Sequence, residues 1–413
     1  MSRAREPVSA APPSPSEACV ERAFCEPDVV AQAWTSAGEL AAEACALEAR
    51  APSPDQALVA VARLLGDRGL LGLVVPAAYG GAWDEVRSVA LCLARERLGY
   101  ASPLVELAFA MQGLGSYAIT ARGSEALRAA WLPKVAAGEA LAAFALTEEE
   151  AGSDLSGIAT TAHREGDAYV LSGTKVFISN AGLADVYTVF AATAPAGEKR
   201  RLTAFAVPAA LPHLRARPMR VLGGHPLGAL ELDGVRVPAS HRIGAEGDGL
   251  SIALEVLHRF RPTVGAAAVG FAQRALDESI AHVRARRQFG APLADLQAVQ
   301  LALGDMACDV ESARLLVYRA AAIADVTAKL RAQGGGDGPE ERSRIARTGS
   351  MAKLVATEAA FRVVDRAVQL HGGRGVLEGT TVCRLYEDVR ALRIYEGASD
   401  VQRLLVAREL LAR

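Results

Sequence analysis

The stretch Ile394-Tyr395-Glu396-Gly397-Ala398-Ser399-Asp400-Val401-Gln402-Arg403 sets a carboxylate between an aromatic residue and a glycine, directly ahead of a helix start. Ser399 followed three positions later by Gln402 has the spacing of a capping box, and Val401, Leu404 and Leu405 fall on one apolar face behind it. Helix N-termini gather acids because the dipole favours them, so Glu396 taken alone reads as a surface charge. Gly397 argues for more, because it permits a tight backbone at the point where the acid is presented. Glu396 is therefore a candidate general base.

The chain before and after this stretch divides by period. From Gly249 onward the helical repeat dominates, predicting long helices over 250–286, 296–333, 340–370 and 398–411, as in a bundle. Gly334-Gly335-Gly336-Asp337-Gly338-Pro339 reads as a flexible turn; with no strand before it, it is not a phosphate loop. Short β-branched or aromatic runs occupy 169–171, 175–179, 186–191, 202–207 and 230–237. Turn residues separate them at roughly ten-residue spacing, which predicts an antiparallel sheet or barrel. Helical periods return at 29–50, 56–65, 83–98, 104–120 and 124–135, with Pro76 and Gly80-Gly81 breaking 70–82. The fold class is α+β multidomain: an N-terminal helical domain over 17–143, a middle antiparallel β domain over 144–243, and a C-terminal four-helix-bundle-like domain over 244–413.

Composition narrows the function. A 413-residue chain that is 51% hydrophobic and 22% charged has room for two or three domains at roughly 150 residues each. A formal net charge of -2 without a basic run leaves no nucleic-acid footprint and no attraction to an anionic membrane. Cys19, Cys25, Cys45, Cys92, Cys308 and Cys383 form no CxxC pair, which argues against a disulfide framework or zinc site and fits a reducing cytosol. No apolar run reaches the ~18 residues that span a bilayer. Residues 1–16, rich in Pro, Ser and Ala but without an apolar signal core, predict a disordered tail on a cytoplasmic protein. No histidine pair has metal-ligand spacing with a supporting carboxylate, so no metal is expected.

Further motifs lie upstream. Phe144-Ala145-Leu146-Thr147-Glu148-Glu149-Glu150-Ala151-Gly152-Ser153-Asp154 ends in a small, hydroxyl-bearing turn suited to a polar ligand, and Lys175-Val176-Phe177-Ile178-Ser179-Asn180 is a strand ending in an aromatic, a hydroxyl and a turn residue. Thr147-Glu148 with Ala151-Gly152-Ser153-Asp154, followed by Gly173-Thr174-Lys175-Val176-Phe177-Ile178-Ser179-Asn180, resembles the acyl-CoA dehydrogenase flavoproteins. Arg286-Arg287-Gln288-Phe289-Gly290 with Gln297, Gln369-Leu370-His371-Gly372-Gly373, and Ile394-Tyr395-Glu396-Gly397 are similar to that family's remaining signatures. The likeness runs in order from about residue 55 to the C-terminus, on the α–β–α layout already read.

The resemblance implies an FAD-dependent enzyme that converts an acyl-CoA to its 2-enoyl thioester in fatty acid metabolism. Phe144, Leu146, Thr147, Gly152, Ser153, Phe177, Ile178 and Ser179 match the segments around the isoalloxazine, with Thr147 and Ser179 as donors and Phe177 packed on the ring face. Ala398, which replaces a hydroxyl residue, and Asp400 also fall on the cofactor side. Arg286, Phe289, Gln297, Gln369, Gly372 and Gly373 match segments that bind the FAD pyrophosphate and adenosine of a neighbouring subunit, implying a homo-oligomer, by family habit a homotetramer. His371 there reads as structural rather than catalytic, and His225 and His258 receive the same reading.

Glu396 matches the catalytic base. In the implied chemistry it takes the α-proton while its own backbone N–H and a flavin ribityl hydroxyl stabilise the developing enolate, and the β-hydrogen leaves as hydride to flavin N5. Burial against Tyr395 is expected to raise its pKa. Ser153, His258, Arg261, Tyr395 and Gly397 match the substrate side. His258 departs from the carboxylate or small polar residue of some members, and Glu149 stands where many have proline. The resemblance also puts the roof of the acyl pocket at the helix around Phe109, Met111, Gln112 and Gly113; read alone, these are ordinary core. Electrons would pass to an electron-transfer flavoprotein. Three rivals stay open on the sequence: the same chemistry on an acyl-carrier-protein thioester in a biosynthetic pathway, a flavin oxidase or monooxygenase, and a non-catalytic flavin-binding scaffold.

Overall fold

Apolar periodicity becomes helices at both ends of the chain and strands in its middle. The computed structural model describes residues 26–335 and 338–411; the tail expected over 1–16, the start of the helical pattern at 17, Cys19, Cys25 and Gly336-Asp337 of the glycine turn lie outside the described residues. After a short turn Pro27–Val30 and a π-helical turn Ala31–Thr35 come α1 (Ser36–Arg50), α2 (Pro54–Asp67), α3 (Ser88–Ala101), α4 (Pro103–Arg122) and α5 (Glu125–Ala136). Ser53 and Ser124 cap α2 and α5, each side chain accepting a backbone N–H at 3.3 Å. α3 begins at Ser88 rather than at 83, where the helical pattern starts. The reason is remote: the N–H groups of Ser88 and Val89 donate to the Asp325 carboxylate at 2.7 and 3.0 Å, a cap supplied from far along the chain.

The middle region holds β1 (Ala142–Ala145), β2 (Thr161–Glu165), β3 (Ala168–Ser179), β4 (Val186–Ala192), β5 (Leu202–Pro208), β6 (Leu214–Met219), β7 (Leu227–Pro238) and β8 (Arg242–Ile243). They form one sheet in the order β6-β7-β3-β2-β4-β5-β8, with β1 also on β4. Pairing is antiparallel except for β1 with β4 and the single Thr161–Ala192 pair of β2 with β4. The runs at 169–171 and 175–179 belong to one strand, β3, whose register on β7 shifts at Leu171/Ser172 and again at Lys175/Ile178. β1, β2, β6 and β8 were not read from the sequence. β6, Leu-Arg-Ala-Arg-Pro-Met, is a mostly exposed edge strand, where charge and proline are tolerated and apolar alternation is absent.

Gly115 sets how α4 meets this sheet. Thr188 Oγ1 donates to the Gly115 carbonyl at 2.8 Å, Gln112 Oε1 accepts from Ala142 N at 3.1 Å, and Asn180 Nδ2 donates to Ala142 O at 3.2 Å. Phe109, Met111, Gln112 and Gly113 are buried, Gln112 in this contact. β1 is thereby fixed on both sides just before it enters the Leu146-Thr147 loop.

The C-terminal part contains α6 (Gly249–Ala285), the small hairpin β9 (Arg287–Gln288) and β10 (Ala291–Pro292), α7 (Gln297–Ala332), α8 (Pro339–His371), α9 (Thr381–Leu392) and α10 (Ser399–Leu411). α9 is an addition to the long helices read above; its buried Val382, Leu385, Val389 and Leu392 recur at three- and four-residue intervals. By contacts the chain divides into two units. One gathers the described residues up to Ala49, Ser88–Glu106 and the chain from His258; the other gathers Arg50–Arg87 and Leu107–Leu257.

A Cβ added at Gly115 would lie 2.5 Å from Ala143 N, whereas one at exposed Gly304 in α7 meets nothing within 4 Å. Gly115→Ala should therefore lower unfolding stability by about 1–3 kcal/mol through overpacking. Gly304→Ala should raise it by about 0.5–1 kcal/mol through helix propensity. Denaturant melts of the two variants read both signs.

Candidate active site

The turn between α9 and α10 presents Glu396. Ile394 N and Tyr395 N donate to Ala391 O at 2.9 and 3.1 Å, and Ser399 N closes the far side on Arg393 O at 3.0 Å. Between them Glu396 sits at φ 52° and Gly397 at φ 98°. A left-handed non-glycine residue costs of order 1–3 kcal/mol, so its surroundings must impose it. Gln402 Nε2 donates to Glu396 O at 3.4 Å and Gly397 O at 3.1 Å, and Lys353 Nζ donates to Gly397 O at 2.8 Å. At φ 98° a side chain at position 397 would be strained, and its Cβ would displace the Gln402 amide that holds the turn, so glycine is favoured there.

This arrangement replaces the capping box. Ser399 Oγ donates to Glu358 Oε1 at 2.6 Å, beside Arg393 Nε on the same oxygen at 2.9 Å, because a carboxylate is a stronger acceptor than a helix N-terminus is a donor. Gln402 is fully buried with its amide on the turn, while Leu404, read as part of the apolar face, is 56% exposed.

The Glu396 carboxylate has unusual company. Its Oε2 is shut from solvent with no hydrogen-bond partner among the described residues, and its backbone N–H likewise donates to none of them. Burial pushes its pKa up; Arg95, Lys353 and Arg261 oppose the rise and Glu106 adds to it. Arg95 is buried, its Nε paired with Glu106 and its Nη1 on Thr263 Oγ1 at 2.7 Å. Arg261 is buried with Nε and Nη1 unpartnered among the described residues, and burial pulls it down to about 10 against the attraction of Glu396. His258 is pushed down to about 4 by burial, with Arg261 and Arg331 adding, and stands neutral. Burial and Glu106 raise the Tyr395 phenol well above its ordinary value. The cluster provides a carboxylate with one buried, unpartnered oxygen, an unused N–H beside it and spare cationic donors among the described residues.

In the other unit, the loop after β1 is stapled to β3. Lys175 Nζ reaches Glu148 Oε1 at 2.7 Å and Leu146 O at 3.1 Å, and Val176 N donates to Thr147 O at 3.0 Å. Glu148 also accepts from Ala159 N at 2.7 Å and Thr160 N at 3.1 Å. Burial brings Lys175 down to about 8 against the pull of Glu148; Glu148, despite its own burial, is held below the usual carboxylate range by Lys175 and those donors. Thr147 is half-buried and its hydroxyl bonds to no described residue.

At the end of β3, Phe177 sits at φ 56° with 54% exposure, where the register shifts. Ser179 Oγ lies 2.8 Å from His225 Nε2, and burial pushes His225 down to about 4, so its imidazole is neutral. Phe144 packs edge-on against Phe190 at 5.0 Å. Leu146 and Ile178 point their side chains into the core, leaving only backbone to offer a ligand, while Gly152 and Ser153 are exposed. An exposed ring beside hydroxyl donors on a stapled loop fits a flat heteroaromatic such as an isoalloxazine.

A third group lies where α6 and α8 end. His282 and His371 stack at 4.2 Å, and burial, His371, Arg374 and Arg286 all lower the His282 pKa. Phe289 tops the hairpin at φ 51° and 91% exposure, and a Cβ at Gly372 or Gly373 meets open space. Cations, an exposed ring and open backbone suit a diphosphate and an adenine. Gln297 and Gln369 are exposed on the first turn of α7 and the last turn of α8. Ala398 is half-buried, and Asp400 is engaged by Arg403 at 2.8 Å. Among the described residues six non-glycine residues are left-handed, and Phe177, Phe289 and Glu396 are three of them.

Arg95, Glu106, Lys353 and the turn-holding role of Gln402 carried no motif. Their one local signal is charge inside apolar helical runs, as in Leu93-Ala94-Arg95-Glu96 and Met351-Ala352-Lys353-Leu354. Among the described residues no three His, Cys, Asp or Glu side chains gather to hold a metal, and no helix is long and apolar enough to cross a membrane.

Family models for the acyl-CoA dehydrogenase N-terminal, middle and C-terminal domains match residues 32–139, 143–235 and 247–411. The chain belongs to the acyl-CoA dehydrogenase family. It is 37% identical to cyclohexane-1-carbonyl-CoA dehydrogenase of Geobacter metallireducens over 85% of this chain and 89% of that one. An acyl-CoA dehydrogenase from Bacillus anthracis solved with FAD is 30% identical, with TM-score 0.85 over 94% of this chain and 67% of its own. A chain from a structure described as the electron transferring flavoprotein of Acidaminococcus fermentans, in work on flavin-based electron bifurcation, is also 30% identical; its TM-score is 0.84 over 94% and 100% of the two chains.

In this acyl-CoA dehydrogenase the staple should matter more than its surface. Lys175→Met leaves Glu148 buried and unpaired, which should cost about 3–5 kcal/mol in urea unfolding. The double variant Lys175→Met/Glu148→Gln should recover part of that loss. Equal stability of the two variants would show that the pair does not act as a unit.

Proposed function

We propose that Glu396 is the base of this enzyme, which oxidises an acyl-CoA thioester to the 2-enoyl thioester with FAD as cofactor. The observation that carries the assignment is the Glu396 carboxylate itself: strained backbone, a buried oxygen without a partner, and an adjacent unused N–H. An unsatisfied buried carboxylate is costly in a resting protein, and the cost is relieved when it takes a proton. The α-proton of a thioester is acidic enough for such a base only when charge on the carbonyl oxygen is stabilised, and the Glu396 N–H is available to do so. To the substrate side we assign Arg261, which has two spare buried donors among the described residues, with neutral His258, Tyr395 and Gly397.

Bound FAD supplies the hydride acceptor. Thr147 and Ser179 would hydrogen-bond its ring, Phe144 and Phe177 would pack on it, and the backbone of Leu146, Gly152, Ser153 and Ile178 would complete the cradle. Arg286, Phe289, Gln297, Gln369, Gly372 and Gly373 would bind the diphosphate and adenosine of the cofactor in a second copy, making the enzyme a homo-oligomer, by family habit a tetramer. An electron-transfer flavoprotein is the electron acceptor we assign, and the cytoplasm the compartment.

Anaerobic titration with short, branched, cyclic and long acyl-CoAs, followed by flavin absorbance, tests the reading. One class should bleach the wild-type flavin, and Glu396→Gln should slow bleaching by about 10²–10⁴-fold at unchanged flavin content. Rapid bleaching of the variant overturns the assignment of the base. The base acts ionised and burial raises its pKa, so kcat/KM should climb with pH through a value above the ~4.3 of a free glutamate. A rate already flat at and above that value would contradict the burial argument.

A further inference from the structure

Lys353 has no exposed surface and, among the described residues, no carboxylate in ion-pair contact; its ammonium donates to Gly397 O at 2.8 Å. A buried ammonium without a counter-ion is expensive, and a Met or Leu would fill the same place on α8 at no such cost. The charge therefore has to be explained by what it touches. Gly397 O belongs to the turn that holds Glu396 left-handed, and the other holder, Gln402, is a neutral amide with longer bonds to the same turn. Together they engage both carbonyls of the turn and leave the Glu396 N–H unused.

The charged groups acting on Glu396 come from four helices: Arg95 from α3, Glu106 from α4, Arg261 from α6 and Lys353 from α8. Glu106 neutralises Arg95. Among the described residues Arg261 makes no hydrogen bond to the turn backbone, and Glu358, which also acts on Lys353, is occupied by Arg393 and Ser399. Among these cations Lys353 is the one bonded to the turn.

We propose that Lys353 is a positioning residue for Glu396, anchoring the Gly397 carbonyl so that the turn keeps its left-handed form, and favouring the ionised carboxylate through its charge. This rests on the reading of Glu396 as the base. Burial lowers Lys353 to about 8 while Glu396 and Glu358 oppose the fall and Arg261 adds to it, so the anchor is charged at neutral pH and loses its charge in mildly alkaline solution.

The test uses full-length, FAD-loaded protein carrying Lys353→Arg, Lys353→Gln or Lys353→Met. Flavin reduction by butyryl-CoA, isobutyryl-CoA and cyclohexane-1-carbonyl-CoA is followed across pH, with melting temperature and flavin content as controls. Lys353→Gln keeps a donor and loses the charge, so the acid limb of the reduction rate should move up by about one pH unit with a modest loss of rate. Lys353→Met loses both, and should show the same displacement with a rate at least about tenfold lower. Lys353→Arg should return the limb towards that of the wild type. If Lys353→Met fails to fold, Lys353→Gln against Lys353→Arg carries the comparison. Acid limbs of the Gln and Met variants that coincide with the wild type overturn the proposal while Glu396→Gln remains inert. A Glu396→Gln enzyme that still bleaches identifies the failure as that of the base itself.

Discussion

A glutamate at φ 52° followed by a glycine at φ 98° is a conformation that a free chain avoids, and the segment from α8 to α10 is arranged to impose it. The strain is of order 1–3 kcal/mol, about what one charge-assisted hydrogen bond and two neutral ones return. Lys353 and Gln402 supply those bonds, and each is buried, so neither is free to relax onto water. The price of that rigidity is visible in Ser399 and Glu358, which abandon a local cap to hold the far side of the turn. What results is a carboxylate with little choice of direction.

The β domain solves a similar problem with the same means. The Leu146-Thr147 loop has no regular partner, and the buried Glu148–Lys175 pair fixes its backbone through the Leu146 carbonyl. A hydrophobic pair of equal volume would be as stable or more so, because desolvation of two ions offsets most of their attraction. It would leave the Leu146 carbonyl without its donor. In both units, then, a buried lysine is set against a backbone oxygen of the segment that bears the candidate site residues. Direction, more than stability, is what the charge provides.

Local chemistry was legible in the sequence, and distant pairing was not. The long helices and the bounds of β4 and β5 follow from residues within a few positions of one another. α9 was not read, although its buried residues recur at three- and four-residue intervals. Glu396 could be singled out because its glycine is adjacent. The start of α3 could not, since Asp325 caps it from α7, and neither could the capping box fail visibly, since Glu358 lies on another helix. Lys353 and Arg95 were present in the sequence as charges in apolar runs, but what each charge touches is decided by the packing of helices.

The electrostatics around Glu396 show why several cations are better than one. Burial pushes the carboxylate towards its protonated form, and a protonated acid takes no proton. A single close salt bridge would hold it ionised but spend its lone pairs and weaken it as a base. Arg95, Lys353 and Arg261 act instead from separate helices without bonding its buried oxygen, so the charge is favoured while the lone pair stays free. Glu106 moderates this by neutralising Arg95, and it also acts directly on Glu396 in the opposite sense. Distant cations thus favour the charge of Glu396 without engaging its buried oxygen, and because they sit on separate helices, the balance does not depend on the motion of any one side chain.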